Sequence, residues 1–200
     1  GRRELFGTLR QFGGLSGFPK PYESQHDAFM AGHASDSVSV ALGMARARTL
    51  LGQDYHVLAV IGDGALGGGL SFEGLNDAGG SGERLIVVLN DNGMSIDANV
   101  GGLSRHLSKV RTTTEYYEFK KRYREALSRL PGGSALYGLS HEVKTALKKS
   151  LLPPVSTMFE DMGFAYMGPV DGHDVARLTA VLQAAREEKR PVLVHVHTVK

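Results

Sequence analysis

The chain of 200 residues contains no cysteine. Disulfides, thiolate metal sites and cysteine nucleophiles are therefore excluded, and the composition suits a reducing compartment. Long hydrophobic runs are missing too. The longest, such as Leu85–Leu89, fall far short of the roughly 20 residues a membrane helix requires. Charge of one sign is not in excess: the formal net charge is +2 at pH 7, too small to imply a nucleic-acid partner. With 42% hydrophobic and 22% charged residues, the balance is that of a folded domain rather than a disordered one.

Glycine is what the chain has in excess. It accounts for 26 of the 200 residues, against a background of about 7%. The glycines are clustered rather than periodic, which excludes collagen-like and low-complexity readings. Such clusters mark places where main chain must approach something closely. Positive charge is concentrated too: residues 105–149 hold eleven Lys and Arg against four Glu. This basic stretch reads first as a solvated helical face, and its length and Gly/Pro punctuation suggest a lid. The chain opens on Gly1 and stops at Lys200 after an apolar run, and it reads as a piece of a larger protein.

The patterning is that of an α/β domain. Residues 1–31 are loop-like, with Gly13-Gly14 and Pro19-Lys20-Pro21. A helix follows, capped by Ser35 or Asp36, with Val38, Ala41, Leu42, Ala45 and Thr49 on one face and Gly52 as its stop. Val57–Ile61 and Leu85–Leu89 are apolar throughout, the pattern of strands covered on both faces. A helix over Leu70–Ala78, closed by Gly79-Gly80, connects them. Helix–strand alternation with buried strands predicts a doubly wound, mainly parallel sheet. Residues 100–156 interrupt the rhythm as a helical insertion, with basic helices over Tyr116–Leu130 and His141–Leu151. The alternation then resumes: a helix over Val155–Met162, a strand over Phe164–Met167, and a helix capped by Asp174 with Val175, Leu178, Val181, Leu182 and Ala185 inward. A last strand covers Pro191–His197.

Open α/β sheets bind ligands at the carboxyl ends of their strands. Two polar clusters fall there, Gly62-Asp63-Gly64 and Asn90-Asp91-Asn92. Asp63 and Asn92 stand one crossover apart, so adjacent parallel strands would set them side by side. Gly62, Gly64 and Gly67 also spell the G-x-G-x-x-G of dinucleotide-binding loops, with Asp91 near the end of the next strand. Asp63 disfavours that reading, because its carboxylate would face a pyrophosphate that such loops hold with main-chain amides. A divalent cation between carboxylate and phosphate oxygens removes the conflict. Asp63 and Asn92 supply hard oxygen donors suited to Mg²⁺, while the glycines let main chain reach the phosphates. A plain turn is the reading left for Gly-Asp-Gly taken alone.

Gly-Asp-Gly, just under 30 residues and then Asn resembles the signature of thiamine diphosphate enzymes. The flanking motifs narrow the likeness. Gly1-Arg2-Arg3, Thr8-Leu9-Arg10-Gln11 through Gly13-Gly14-Leu15, and Gly32-His33-Ala34-Ser35 are similar to 1-deoxy-D-xylulose-5-phosphate synthases. So are Leu89-Asn90-Asp91-Asn92-Gly93-Met94-Ser95-Ile96 and Gly168-Pro169-Val170-Asp171-Gly172-His173-Asp174. Transketolases share the diphosphate signature but fit these flanks less well.

The resemblance implies one thiamine diphosphate-binding (diphosphate) domain over residues 1–200, truncated at both ends. It implies thiamine diphosphate and Mg²⁺ as cofactors. Pyruvate and D-glyceraldehyde 3-phosphate would be condensed, with loss of CO₂, to 1-deoxy-D-xylulose 5-phosphate for isoprenoid, thiamine and pyridoxal phosphate synthesis. By the same likeness Asp63, Asn92 and the Met94 carbonyl match metal ligands, and Gly64 and Ala65 match diphosphate-cradling positions. Asn92 also touches the diphosphate. Gly32, His33 and Ala34 match the segment lining cofactor and substrate, with His33 the catalytic proton carrier. A homodimer in the cytoplasm, or in a plastid for a plant or alga, is the family's expected setting, with no membrane and no nucleic acid. The family's activating glutamate comes from a second domain that these 200 residues do not include. The chain is thus expected to be the diphosphate-binding part only, and not to turn over alone. A nicotinamide oxidoreductase built on Gly62-x-Gly64-x-x-Gly67, and a non-catalytic half-site subunit, are the alternatives.

The other histidines read as structural. His195 and His197 alternate on the last strand, and with His173 they show no closing zinc set. Asp171-Gly172-His173-Asp174 reads as a turn and helix cap. Strand alternation should turn Asp91 away from the metal.

Overall fold

The structure, a computed structural model, describes residues 2–94, 99–112 and 157–199. They form two compact units, Gly1–Ala34 and Ser35–Lys200. In the first, a 3₁₀ turn over Arg3–Thr8 leads into turns held by charge. The Arg2 guanidinium grips Glu23 at 3.1 Å and Asp27 at 2.7 Å. Asp27 also accepts from the Lys20 amide at 2.9 Å. That amide is the largest influence holding the Asp27 carboxyl below its usual range, with Arg2 adding to it against the cost of burial.

The second unit is built on four parallel strands: β1 (Val57–Gly62), β2 (Leu85–Asp91), β3 (Ala165–Asp171) and β4 (Val192–His197). Their order is β1-β2-β4-β3, so the last strand lies between the second and third. The helices among the described residues are α1 (Ser37–Leu50), α2 (Asp63–Leu66), α3 (Gly69–Ser81), α4 (Gly102–Thr112), α5 (Thr157–Asp161) and α6 (Val175–Arg186). This is the α/β parallel architecture that the patterning predicts. The expected helices over Tyr116–Leu130 and His141–Leu151, and the lid they would form, lie outside the described residues.

Alternation along the strands sorts two cores. Val57, Ala59, Ile61, Leu85, Val87, Leu89 and Leu193 pack with α1, α3, Phe159 and Phe164. Ile86, Val192, Val194 and Val196 face the other way, against Leu178, Val181, Leu182 and Ala185 of α6. Burial of each large apolar side chain contributes roughly 1.5–3 kcal/mol. β1 departs from expectation. Leu58 and Val60, 50% and 66% exposed, leave one face of that edge strand uncovered among the described residues.

Local differences have local causes. Arg48, not Thr49, completes the buried stripe of α1. Its guanidinium donates to the Tyr55 and Arg84 carbonyls at 3.1 and 2.9 Å and to Glu83 at 3.0 Å. A fully partnered charge can be buried where a lone one cannot. Asp36 is the N-cap residue of α1 but makes no side-chain cap bond; the Ser35 hydroxyl instead donates to the Ala65 carbonyl at 2.7 Å. Gly52 ends α1 in the left-handed region, φ 62°, as read from sequence. Asp174 caps α6 by accepting from the Arg177 amide at 3.0 Å, whereas Val175 is exposed rather than inward. β3 runs past Met167 to Asp171 through an irregularity between Met167 and Val170.

α3 does not stop at Gly79-Gly80. It continues to Ser81 and closes at Gly82, φ 69°. Tertiary packing overrides the weak helix propensity of the pair, because the Gly79 main chain lies directly against the Met162 carbonyl. Gly80 has no atom within 4 Å of a would-be Cβ. The two glycines should therefore respond oppositely in urea unfolding. Gly79→Ala loses about 1–3 kcal/mol through overpacking, while Gly80→Ala gains about 0.5–1 kcal/mol through reduced chain entropy.

Candidate functional site

β1 and β2 pair in register, with Gly62 opposite Asn90. Asp63 and Asp91 therefore leave the two strands at neighbouring tips. Asp63 begins α2 and is only 7% exposed; Asp91 ends β2 on the buried face that carries Leu85, Val87 and Leu89. Their carboxylates converge on one donor. The Gly93 N–H reaches Asp63 Oδ2 at 2.8 Å and Asp91 Oδ1 at 3.1 Å. Gly93 has φ 73°, in the left-handed region that favours glycine. Asn99 adds its Nδ2 donor to Asp63 Oδ2 at 2.7 Å, and its amide donates to the Gly93 carbonyl at 3.2 Å.

Two carboxylates at one buried position disturb each other. Burial, and then the hydrogen bond and charge of Asp91, push the Asp63 carboxyl above its ordinary range, against the Gly93 and Gly64 amides that pull it down. The excess negative charge and hard oxygen donors are what a divalent cation would neutralise. The residues present thus fit Mg²⁺ on the chemistry of the donor set. Asn92 follows directly, and its Oδ1 accepts from the Met94 amide at 2.9 Å, an Asx turn that fixes the side chain above the strand tip. The Met94 side chain is 40% exposed. Gly64 and Ala65 lie in α2, tied down by Ser35 at the Ala65 carbonyl. Asp63, Gly64, Ala65, Asn92 and Met94 are thereby brought to one end of one strand pair. Gly32, His33 and Ala34 belong to the first unit. There Gly32 has φ 150° and its nearest would-be neighbour is the Phe18 ring at 3.9 Å, and all three are exposed.

Asp91 keeps to strand alternation, on the buried row of β2. It is fully buried, and behind it stands His195, also at 0% exposure. His195 Nε2 lies 2.9 Å from Asp91 Oδ2, and its Nδ1 lies 2.7 Å from the Tyr166 hydroxyl. His195 is thus a structural residue of an inner strand, as read from the sequence. Asn99, Tyr166 and the pairing of His195 with Asp91 are not legible in the sequence. One signal was present: Asp91 extends the period-two buried row of β2. His173 belongs to a turn, its amide donating to Asp171 Oδ1 at 2.9 Å. No group of three or more His, Cys, Asp or Glu suited to a metal occurs among the described residues.

The dinucleotide alternative fares poorly on geometry. Gly67 caps the four-residue α2 instead of opening a long helix, and its would-be Cβ makes only an ordinary 3.6 Å contact. Asp91, the ribose-binding candidate, is buried on His195.

Fold and strand-tip cluster together define a parallel α/β domain with its polar residues where open sheets of this class bind ligands. The 1-deoxy-D-xylulose-5-phosphate synthase profile matches residues 1–198. Proteins named 1-deoxy-D-xylulose-5-phosphate synthase align along the whole chain. They include that of Pelotomaculum thermopropionicum, 56% identical over 200 residues, 100% of this chain and 31% of the relative. Those of Natranaerobius thermophilus and Clostridium kluyveri are 50% and 49% identical over 201 residues, 100% of this chain and 32% of each relative. The chain belongs to the 1-deoxy-D-xylulose-5-phosphate synthase family, and it spans about a third of the length of these relatives. No helix among the described residues is long and apolar enough to cross a membrane.

The raised Asp63 carboxyl sets a sign for pH dependence. The folded state holds this proton to higher pH than the unfolded chain does. Stability of the metal-free protein should therefore fall as pH climbs from about 4, the ordinary carboxylate range, through the raised folded value. Asp63→Asn should remove that decline and raise the unfolding midpoint at neutral pH in EDTA, measured by calorimetric scans across pH.

Proposed function

We propose that this chain is the diphosphate-holding part of a thiamine diphosphate- and Mg²⁺-dependent transferase. The complete enzyme would condense pyruvate with D-glyceraldehyde 3-phosphate, releasing CO₂, to give 1-deoxy-D-xylulose 5-phosphate. The observation that carries this reading is the convergence of the Asp63 and Asp91 carboxylates on the Gly93 N–H at neighbouring strand tips. Family membership supports it. Residues 1–200 act as one functional domain, the cytoplasmic homodimer is the working form, and the chain alone does not turn over.

Asp63, Asn92 and the Met94 carbonyl would hold Mg²⁺, which in turn neutralises the diphosphate. The Gly64 and Ala65 main chain and the Asn92 side chain would bind the diphosphate itself. Bound thiamine diphosphate supplies the electron sink for decarboxylation. Gly32 and Ala34 would line cofactor and substrate. His33 would carry a proton to or from a substrate oxygen, work suited to an imidazole near neutral pH.

Titration calorimetry on the complete polypeptide tests the site. Thiamine diphosphate should bind only when Mg²⁺ is present, and Asp63→Ala should abolish the heat. NAD binding without metal, with no heat from thiamine diphosphate, would reverse the assignment. For His33→Ala, turnover should fall at least tenfold while cofactor affinity changes less than about threefold, the range expected for loss of one proton carrier. Unchanged turnover would remove His33 from the chemistry.

A further inference from the structure

Tyr166 and His195 have no part in holding cofactor as proposed above, yet both are buried, on the neighbouring strands β3 and β4. Burying polar side chains is costly unless every group finds a partner. Here the partners form a directed row. With a neutral imidazole, the Tyr166 O–H donates to His195 Nδ1 at 2.7 Å and His195 Nε2–H donates to Asp91 Oδ2 at 2.9 Å. The other Asp91 oxygen accepts from Gly93 N–H at 3.1 Å, and the same N–H reaches Asp63 at 2.8 Å.

The frame around the row is rigid. Tyr166 lies opposite Leu193 on the neighbouring strand, and His195 opposite Leu89. The Tyr166 ring stacks on Phe159 with centroids 6.0 Å apart and planes 2° from parallel. The irregularity in β3 lets Gly168 settle against the His195 main chain, where a Cβ would meet the His195 carbonyl oxygen at 2.5 Å. The imidazole is thereby held between the Tyr166 hydroxyl and Asp91 while Gly168 packs on its main chain, and its Nε2–H is aimed at one carboxylate oxygen.

We propose that Tyr166 and His195 are positioning residues for the metal-holding turn. They fix the Asp91 carboxylate, which fixes Gly93 and with it the flanking Asn92 and Met94. The inference rests on the Mg²⁺ reading of Asp63 and Asn92. Removing the imidazole frees Asp91 to rotate, so the turn loses its preset geometry while the ligands themselves remain. Groups that orient metal ligands in this way are typically worth 10–100-fold in metal affinity.

The test measures Mg²⁺ affinity by calorimetry in the complete polypeptide with thiamine diphosphate present, alongside the unfolding midpoint of the metal-free protein. His195→Leu should weaken Mg²⁺ binding 10–100-fold. His195→Gln keeps an N–H for Asp91 and should stay within about threefold of the parent. If the two variants lose stability alike, a purely structural role would leave their Mg²⁺ affinities alike too. Equal affinities for His195→Leu and His195→Gln, or a parental affinity in His195→Leu, overturn the proposal. If His195→Leu does not fold, Tyr166→Phe decides. It deletes a single oxygen and should weaken Mg²⁺ three- to tenfold; an unchanged value overturns the proposal. Asp63→Ala, run in parallel, separates the two claims. Retained Mg²⁺ binding there defeats the metal site itself, whereas lost binding there with a parental His195→Leu defeats only the positioning role.

Discussion

One main-chain N–H, that of Gly93, is the point on which the strand-tip geometry turns. It lies between two buried carboxylates that repel each other, and it is the donor both accept. The parallel pairing that sets Gly62 opposite Asn90 brings the tips together, and the left-handed turn at Gly93 aims the N–H between them. Without the turn, Asp63 and Asp91 would share a low-dielectric space with no proton to divide. With it, one partly compensated negative site forms beside an amide oxygen. Its geometry is set by the protein's own groups.

The rest of the unit secures those tips. At the opposite end of the sheet, Arg48 joins the end of α1 to the chain entering β1 and β2 through Tyr55, Glu83 and Arg84. Ser35 and Ser71 secure the far side of α2 through the Ala65 and Leu66 carbonyls. The two apolar cores lie on opposite faces of the sheet. Rigid strands carrying polar residues at their ends are the general solution by which open α/β sheets bind charged ligands.

The parts legible in the sequence were those encoded locally. Val57–Ile61 and Leu85–Leu89 announced strands because five consecutive apolar residues between polar clusters have few other uses. Asp63 and Asn92 stood out because their oxygens suit a hard cation and their separation matches one crossover. What was hidden depended on partners distant along the chain. Asp91 and His195 are 104 positions apart, and nothing local reveals that β4 inserts beside β2. Thr49 has the helical spacing for the fourth turn of α1, but Arg48 finds enough buried acceptors to displace it. Likewise Gly79-Gly80 looked like a stop until Met162 gave the close packing that a larger residue would forbid.

The strand order β1-β2-β4-β3 has a temporal meaning. The inner position between β2 and β3 is filled by the last of the four described strands in sequence, Val192–His197. Until it leaves the ribosome, β2 and β3 have no common neighbour, and Asp91 has no imidazole behind it. Contacts so remote in sequence form late and slowly. A nascent chain halted before this strand would therefore carry both acidic tips without the imidazole that backs one of them, so the strand-tip arrangement is completed only once β4 has been made.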